Sequence, residues 1–332
     1  MKRFFLMAVA AIISMTAWAQ NIAVVSPNNT TAIYQTLDDA ITSAANGSTI
    51  YLPGGGFQIK DETKIDRKLT IMGVSHRGDT DNVDGATLIA GNLHFLENSS
   101  GSAVLGVYIS GDVYIGDDET TVNNVIIKKC NINSIQVKNG NCSGTIVNQN
   151  YIRNNSDFHD ANGTFSNNIM HSVQNVNAGV ITYNIITSYY EYARWYGTLG
   201  GLNQRFCPIG ANNSIISHNV LLNHRDAHCN GSENQSYNNM SKADWEGENN
   251  INIGEVDWND VFENFNNGTI STVSDFHFKS EYKKYENKVG IYAGDGFDPD
   301  ALAPIPRIVS KKVAEQTDGS GKLSIEVTVK SN

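Results

Sequence analysis

A short phrase recurs through the middle of the chain: an asparagine, one further residue, then an apolar residue. It reads Asn150-Tyr151-Ile152, Asn168-Ile169-Met170, Asn184-Ile185-Ile186, Asn219-Val220-Leu221 and Asn238-Asn239-Met240, with a looser copy at Asn131-Ile132-Asn133. Successive gaps are 19, 18, 16, 35 and 19 residues, the long one close to two ordinary gaps. A period near 20 residues is the mark of stacked coils, each packing only on its neighbours. Such a chain escapes the usual size limit of a single hydrophobic core, so one elongated domain is expected from its 332 residues.

The type of coil follows from what lies between the asparagines. From Ala103 to Met240 the chain consists of short aliphatic runs, such as Val104 to Ile109, Asp112 to Ile115, Val122 to Ile127, Ile135 to Val137 and Gly144 to Val147. Asn, Gly and Ser break these runs, which are too short and too poor in helix formers for stacked helices. The expectation is therefore an all-β parallel helix. Uneven gaps argue against the strict six-residue period of a left-handed hexapeptide helix, so right-handed coils are expected. Asn suits the left-handed backbone of a tight corner, and its amide can pair with the same residue one coil above.

Residues 1–19 read as a signal peptide: Lys2 and Arg3, an apolar Phe4 to Met15, and the small-residue site Ala17-Trp18-Ala19. Export to the periplasm, the cell surface or the medium is expected. No other run is long and apolar enough for a membrane span. Removing Lys2 and Arg3 takes the formal charge from -10 to -12, a poor balance for nucleic acid. Cys207 and Cys229 stand about one coil apart, which leaves open either a disulfide or two stacked thiols.

Ahead of the repeats, Ile22 to Ser26 reads as a strand and residues 36 to 46 as a helix. Thr36 is its cap, Leu37, Ala40, Ile41 and Ala44 form one face, and Gly47 ends it. Strands are expected at Thr49 to Leu52, Phe57 to Lys60, Leu69 to Met72 and Thr87 to Ala90, with Gly54-Gly55-Gly56 as a turn. This helix, then Thr49-Ile50-Tyr51-Leu52-Pro53-Gly54 and Lys68-Leu69-Thr70-Ile71-Met72-Gly73, resembles the opening of pectin-lyase-like right-handed parallel β-helix proteins. The resemblance runs from about Tyr34 to Ile308 and implies that the helix caps the first coil. Asp260-Val261-Phe262, Asp275-Phe276-His277-Phe278 and Val289 to Gly294 resemble closing coils of such secreted bacterial proteins. Residues 20–308 are thus expected to form the β-helix, which ends at Ala303-Pro304-Ile305-Pro306. Residues 309–332 form a tail in which Leu323, Ile325, Val327 and Val329 alternate as a hairpin or edge strand.

The long gap supplies the first candidate site. It carries Tyr189, Tyr190, Tyr192, Arg194, Trp195, Tyr196 and Arg205, rings for sugar faces and forked donors for hydroxyls or uronate carboxylates. His224-Arg225-Asp226-Ala227-His228 follows within one coil, and His224, Arg225, Asp226 and His228 are the catalytic candidates. The alternative is that the rings pack the loop down and the second cluster is a solvated corner. No Gly-His-Gly or Arg-x-Pro-x-x-Arg pattern of the family's well-known hydrolases and lyases is present; Arg205-Phe206-Cys207-Pro208 falls short. Asp79 to Gly85 departs from calcium-loop spacing, so it reads as a turn and no metal site is assigned. Calcium stays open only as a cation bridging to an acidic substrate. The expectation is a monomeric exported protein that binds or cleaves polysaccharide, as an uronate lyase or as a non-catalytic glycan-binding scaffold.

Overall fold

The computed structural model describes residues 21–78, 85–189, 207–223, 229–266, 270–272, 274–303 and 307–330. The residues read as a signal peptide, Asp79 to Asp84 of the segment read as a turn, and Pro304 to Pro306 lie outside them. The chain forms a parallel β-solenoid of about eight turns. Its first face stacks Ser48–Tyr51, Leu69–Met72, Ala103–Leu105, Ile126–Lys128, Thr145–Asn148, Gly163–Ser166, Val180–Thr182, Ile215–Ser217 and Gln235–Tyr237 in parallel register. The second face begins at Gly55–Gln58 and Thr87–Ala90 and continues through Asn131–Ile132, Ile185–Tyr189 and Val220–Asn223 to Ile251–Asn252. The third stacks Leu93–Phe95, Val113–Ile115, Ile135–Val137, then the latter parts of Tyr151–Asp157 and Ile169–Asn177, then Ile209–Asn212 and Cys229–Asn230. Alternate residues of each short strand point inward, and Ile50, Ile71, Val104, Ile127, Val147, Phe165, Ile181 and Ile216 line one core file without solvent exposure.

The asparagine phrase is a buried ladder at the corner between the first two faces. Asn150, Asn168, Asn184, Asn219 and Asn239 are wholly buried. Each donates from Nδ2 to Oδ1 of the next, at 3.0, 3.0, 2.9, 2.9 and 3.1 Å, the last acceptor being Asn250. The same Nδ2 atoms donate to Ile127 O, Val147 O, Phe165 O, Ile181 O and Ile216 O in the coil before. Each Oδ1 also accepts the backbone N–H one coil back, beginning with Cys130 N to Asn150 at 2.9 Å. From Asn168 to Asn239 every hydrogen-bonding position of the amide is filled, which is what makes its burial tolerable.

The structure corrects the sequence reading at the ladder and ahead of it. The left-handed backbone is adopted by the residue before each ladder Asn, Gln149, Asn167, Tyr183, His218, Asn238 and Asn249, and by Lys129 before Cys130, at φ between 53° and 59°. The ladder needs the Asn for its amide. Register also moves two copies, since Met240 pairs with Val220 and Asn131 with Tyr151. The rungs are therefore Asn239 and Cys130, with a further rung at Asn250. Finally, Gly55 and Gly56 belong to a strand, and the helix is Leu37–Ser43 with Ala44 as its C-cap, short of Gly47. Thr36 caps its start by accepting the Asp39 N–H at 3.1 Å.

Residues beyond Ile253 do not continue the coils. Trp258, Val261, Phe262, Phe265, Phe276 and Phe278 instead form a second apolar cluster on the outer side of the second face, over Ile169, Ile185, Val220 and Met240. The chain then runs back along the solenoid over the ladder corner. Gly290 N donates to His218 O at 2.8 Å, and Asn167 Nδ2 to Ile291 O and Ala293 O at 2.9 and 2.7 Å. Gln149 Nε2 donates to Gly296 O, Lys129 Nζ pairs with Asp298 at 2.7 Å, and Ala303 N reaches Val74 O. The residues read as closing coils are thus a strap crossing the coils. Their aromatic spacing resembles strands because they cover a strand surface. Arg307–Val313 and Ile325–Lys330 close the chain as a separate antiparallel pair.

Candidate functional site

Tyr190, Tyr192, Arg194, Trp195, Tyr196, Arg205, His224, Arg225, Asp226 and His228 lie outside the described residues, and Tyr189 is described through its backbone. The ends of both segments are described, and they coincide. Tyr189, the last residue before the aromatic segment, pairs with Asn223, the last before His224. Ile209 pairs with Cys229, the first residue after His228. Both segments therefore leave the second face and rejoin the third at the same corner of adjacent coils, whose strands run about 4.8 Å apart. In the two preceding coils one strand crosses that corner unbroken, as Tyr151–Asp157 and Ile169–Asn177.

From this corner a polar row runs down the outer side of the third face. His94, Tyr114, Gln136, Asp157 and Gln174 stand in successive register on five coils, the first four each between inward-facing residues and Gln174 next to inward-facing Val173. His94 stacks on Tyr114 with centroids 4.7 Å apart, and Lys138 Nζ sits 5.2 Å from the Tyr114 centroid. Tyr114 OH donates to Asp112 at 3.1 Å, whose other oxygen accepts from Asn133 and Ser134 at 2.8 and 2.7 Å. Asp157 accepts the His159 N–H and Asn175 Nδ2 at 2.9 and 3.0 Å. Gln174 donates to Cys207 O at 2.7 Å, tying the row to the end of the aromatic segment. At Gly210 a Cβ would come within 2.4 Å of Gln174 Oε1 and 2.9 Å of Asn230 Oδ1, so the glycine leaves a notch between two amides.

These groups suit hydroxyl and amide recognition better than ring stacking, because the Tyr114 faces are already taken by His94 and Lys138. Arg153 is likewise occupied: it lies over Tyr108 at 4.8 Å and donates to Asn131, Ile109 O and Ser110 O. Burial lowers its pKa from the ordinary guanidinium value without discharging it. Burial also lowers the pKa of His94, aided by Lys64 and opposed by Asp61, and burial alone lowers that of His218 beneath the strap. Both folded-state imidazoles thus resist protonation relative to the unfolded chain. Stability is held above the ordinary imidazole pKa, about 6.5, and lost as pH falls through it toward the folded values. A His218→Gln variant is expected to flatten the fall in urea midpoint between about pH 7 and pH 5; an unchanged slope would contradict this.

Cys207 and Cys229 are thiols, not the bridge that their spacing allowed. Register places Cys229 opposite Ile209, two residues past Cys207. Burial, then the neighbouring Cys207, pushes the Cys229 thiol up to about 12. Among the described residues no group of three His, Cys, Asp or Glu side chains is placed to hold a metal, and no helix is long and apolar enough to cross a membrane. The third-face row escaped the sequence reading because its members are about 20 residues apart and only register aligns them. A polar or aromatic residue between two apolar ones in the first three third-face strands, at His94, Tyr114 and Gln136, was its one visible sign.

No protein-family model matches the chain, and no curated protein or solved structure matches it significantly. Fold and geometry define a parallel β-solenoid with one covered face, one polar face and one interrupted corner.

Proposed function

We propose that the protein is an exported right-handed parallel β-helix of the pectin-lyase-like kind, capped by its N-terminal helix, that binds polysaccharide along its third face. The observation carrying this reading is the coincidence of the Tyr189–Asn223 and Ile209–Cys229 pairs. It brings the roots of the aromatic-Arg segment and of His224 to His228 together above the polar row. An extended glycan repeats at a length close to the coil spacing, so successive sugars would meet successive coils.

The catalytic form of the proposal is β-elimination on an uronate chain. His224 or His228 takes the C5 proton, and electrons move to form the C4–C5 double bond. The C4 oxygen leaves with a proton from the second histidine or water. Arg194, Arg205 or a bridging calcium ion stabilises the enolate, and the Tyr and Trp rings hold neighbouring sugars. The alternative is a non-catalytic glycan-binding scaffold, in which the row held in place by the Asp112, Tyr114 and Gln174 bonds only contacts sugar hydroxyls.

The test incubates mature protein with pectic, alginate and glycosaminoglycan chains, with and without calcium, while ultraviolet absorbance of unsaturated uronates is followed. The lyase reading expects product that falls at least 100-fold in His228→Ala or His224→Ala. Binding without product supports the scaffold. Neither binding nor product over the panel would overturn both.

A further inference from the structure

We infer that the C-terminal hairpin is a self-association element that pairs with the same hairpin of a second copy of this chain. Arg307–Val313 and Ile325–Lys330 pair only with each other among the described residues, leaving the far edge of Ile325–Lys330 open. All six residues of that strand are exposed, Ile325 at 59%, Val327 at 45% and Val329 at 57%. A lone two-stranded hairpin is marginal in water, and an unprotected edge strand is a template for another strand.

The sequence of the strand selects the occupant. Antiparallel pairing with its own copy about a two-fold axis through Thr328 sets Glu326 opposite Lys330 of the other copy, and Lys330 opposite the other Glu326. Val327 then faces the second Val329, and Thr328 faces its twin. Opposite charges thus meet twice on one side of the sheet while apolar residues meet on the other. Within its own hairpin Lys330 stands opposite Arg307, a like charge, so its acidic complement comes from the second copy. Two-fold, self-complementary pairing closes at a dimer. The sequence alone leads to a monomer; the open edge leads to a weak, concentration-dependent pair.

Sedimentation velocity of the mature full chain across a wide concentration range tests this. The wild type is expected to shift from monomer toward dimer. Glu326→Lys and Lys330→Glu, each creating two like-charge pairs, are expected to weaken the dimer roughly tenfold or more. An equimolar mixture of the two variants restores opposite charges at both positions, and the double exchange restores them within one chain; both are expected to recover association. A wild type that stays monomeric at every concentration would overturn the inference. So would a dimer indifferent to either variant, or a variant mixture that fails to associate. None of these readouts depends on polysaccharide.

Discussion

Replacing Asn184 with alanine is expected to lower stability by about 3 kcal/mol or more, because the change breaks the ladder at its middle. The Asn184 amide donates to Asn219 Oδ1, Phe165 O and Thr182 O, and accepts from both the backbone and side chain of Asn168. Alanine leaves the Asn168 donors and the Phe165 carbonyl buried without that partner. The cost is that of unsatisfied buried polar groups, not of one lost bond. Aspartate is expected to be no better: it keeps the acceptor, loses the donors and adds a buried charge. The urea midpoint reads the effect, with exposed Asn287→Ala as a control expected to stay within about 0.5 kcal/mol. A midpoint for Asn184→Ala equal to the control would remove the ladder from the account of stability.

The second large effect is expected at Phe262. Its ring lies 5.4 Å from Trp258, 5.5 Å from Phe265 and Phe276, and 4.9 Å from Phe278. It is wholly buried where the strap segment meets the second face. Phe262→Ala is expected to cost about 3–5 kcal/mol by lost burial and the cavity left behind. The loss should be regional. Coils pack on neighbours, so their core does not need the strap in the way that the strap needs them. Hydrogen exchange should therefore speed up at Gly290 and Ala303, whose amides bond to His218 O and Val74 O. The amides of Asn168 and Asn184 should stay protected. Equal acceleration of all four would show that strap and coils unfold as one unit.

The repeat was legible because a ladder needs the same residue once per coil, and period is visible in a linear sequence. Leu69–Met72 and Thr87–Ala90 were legible to the residue because inward and outward positions alternate strictly there. The corner residue was not. Lys129, Gln149, Tyr183 and His218 share a backbone conformation but no side-chain type. The hydrogen-bonded amide beside Gln149, Tyr183 and His218 offsets a strained corner of about 1–2 kcal/mol. The strap was misread because its Phe and Ile spacing answers to the surface it covers. At the candidate site the long gap pointed to the corner where the two segments share their roots, since an insertion is the one event that changes the period. The row from His94 to Gln174 stayed hidden, because neighbours one coil apart leave no local pattern.

The central claim is that one fully bonded asparagine per coil sets the register that brings the two loop roots together. Selective 15N labelling of asparagine side chains, followed after transfer into heavy water, tests it most directly. The account predicts that the NH2 signals of Asn150, Asn168, Asn184, Asn219 and Asn239 persist long after those of exposed asparagines such as Asn141 and Asn287 have gone. Loss of all asparagine NH2 signals together within the dead time would contradict the ladder, and with it the register.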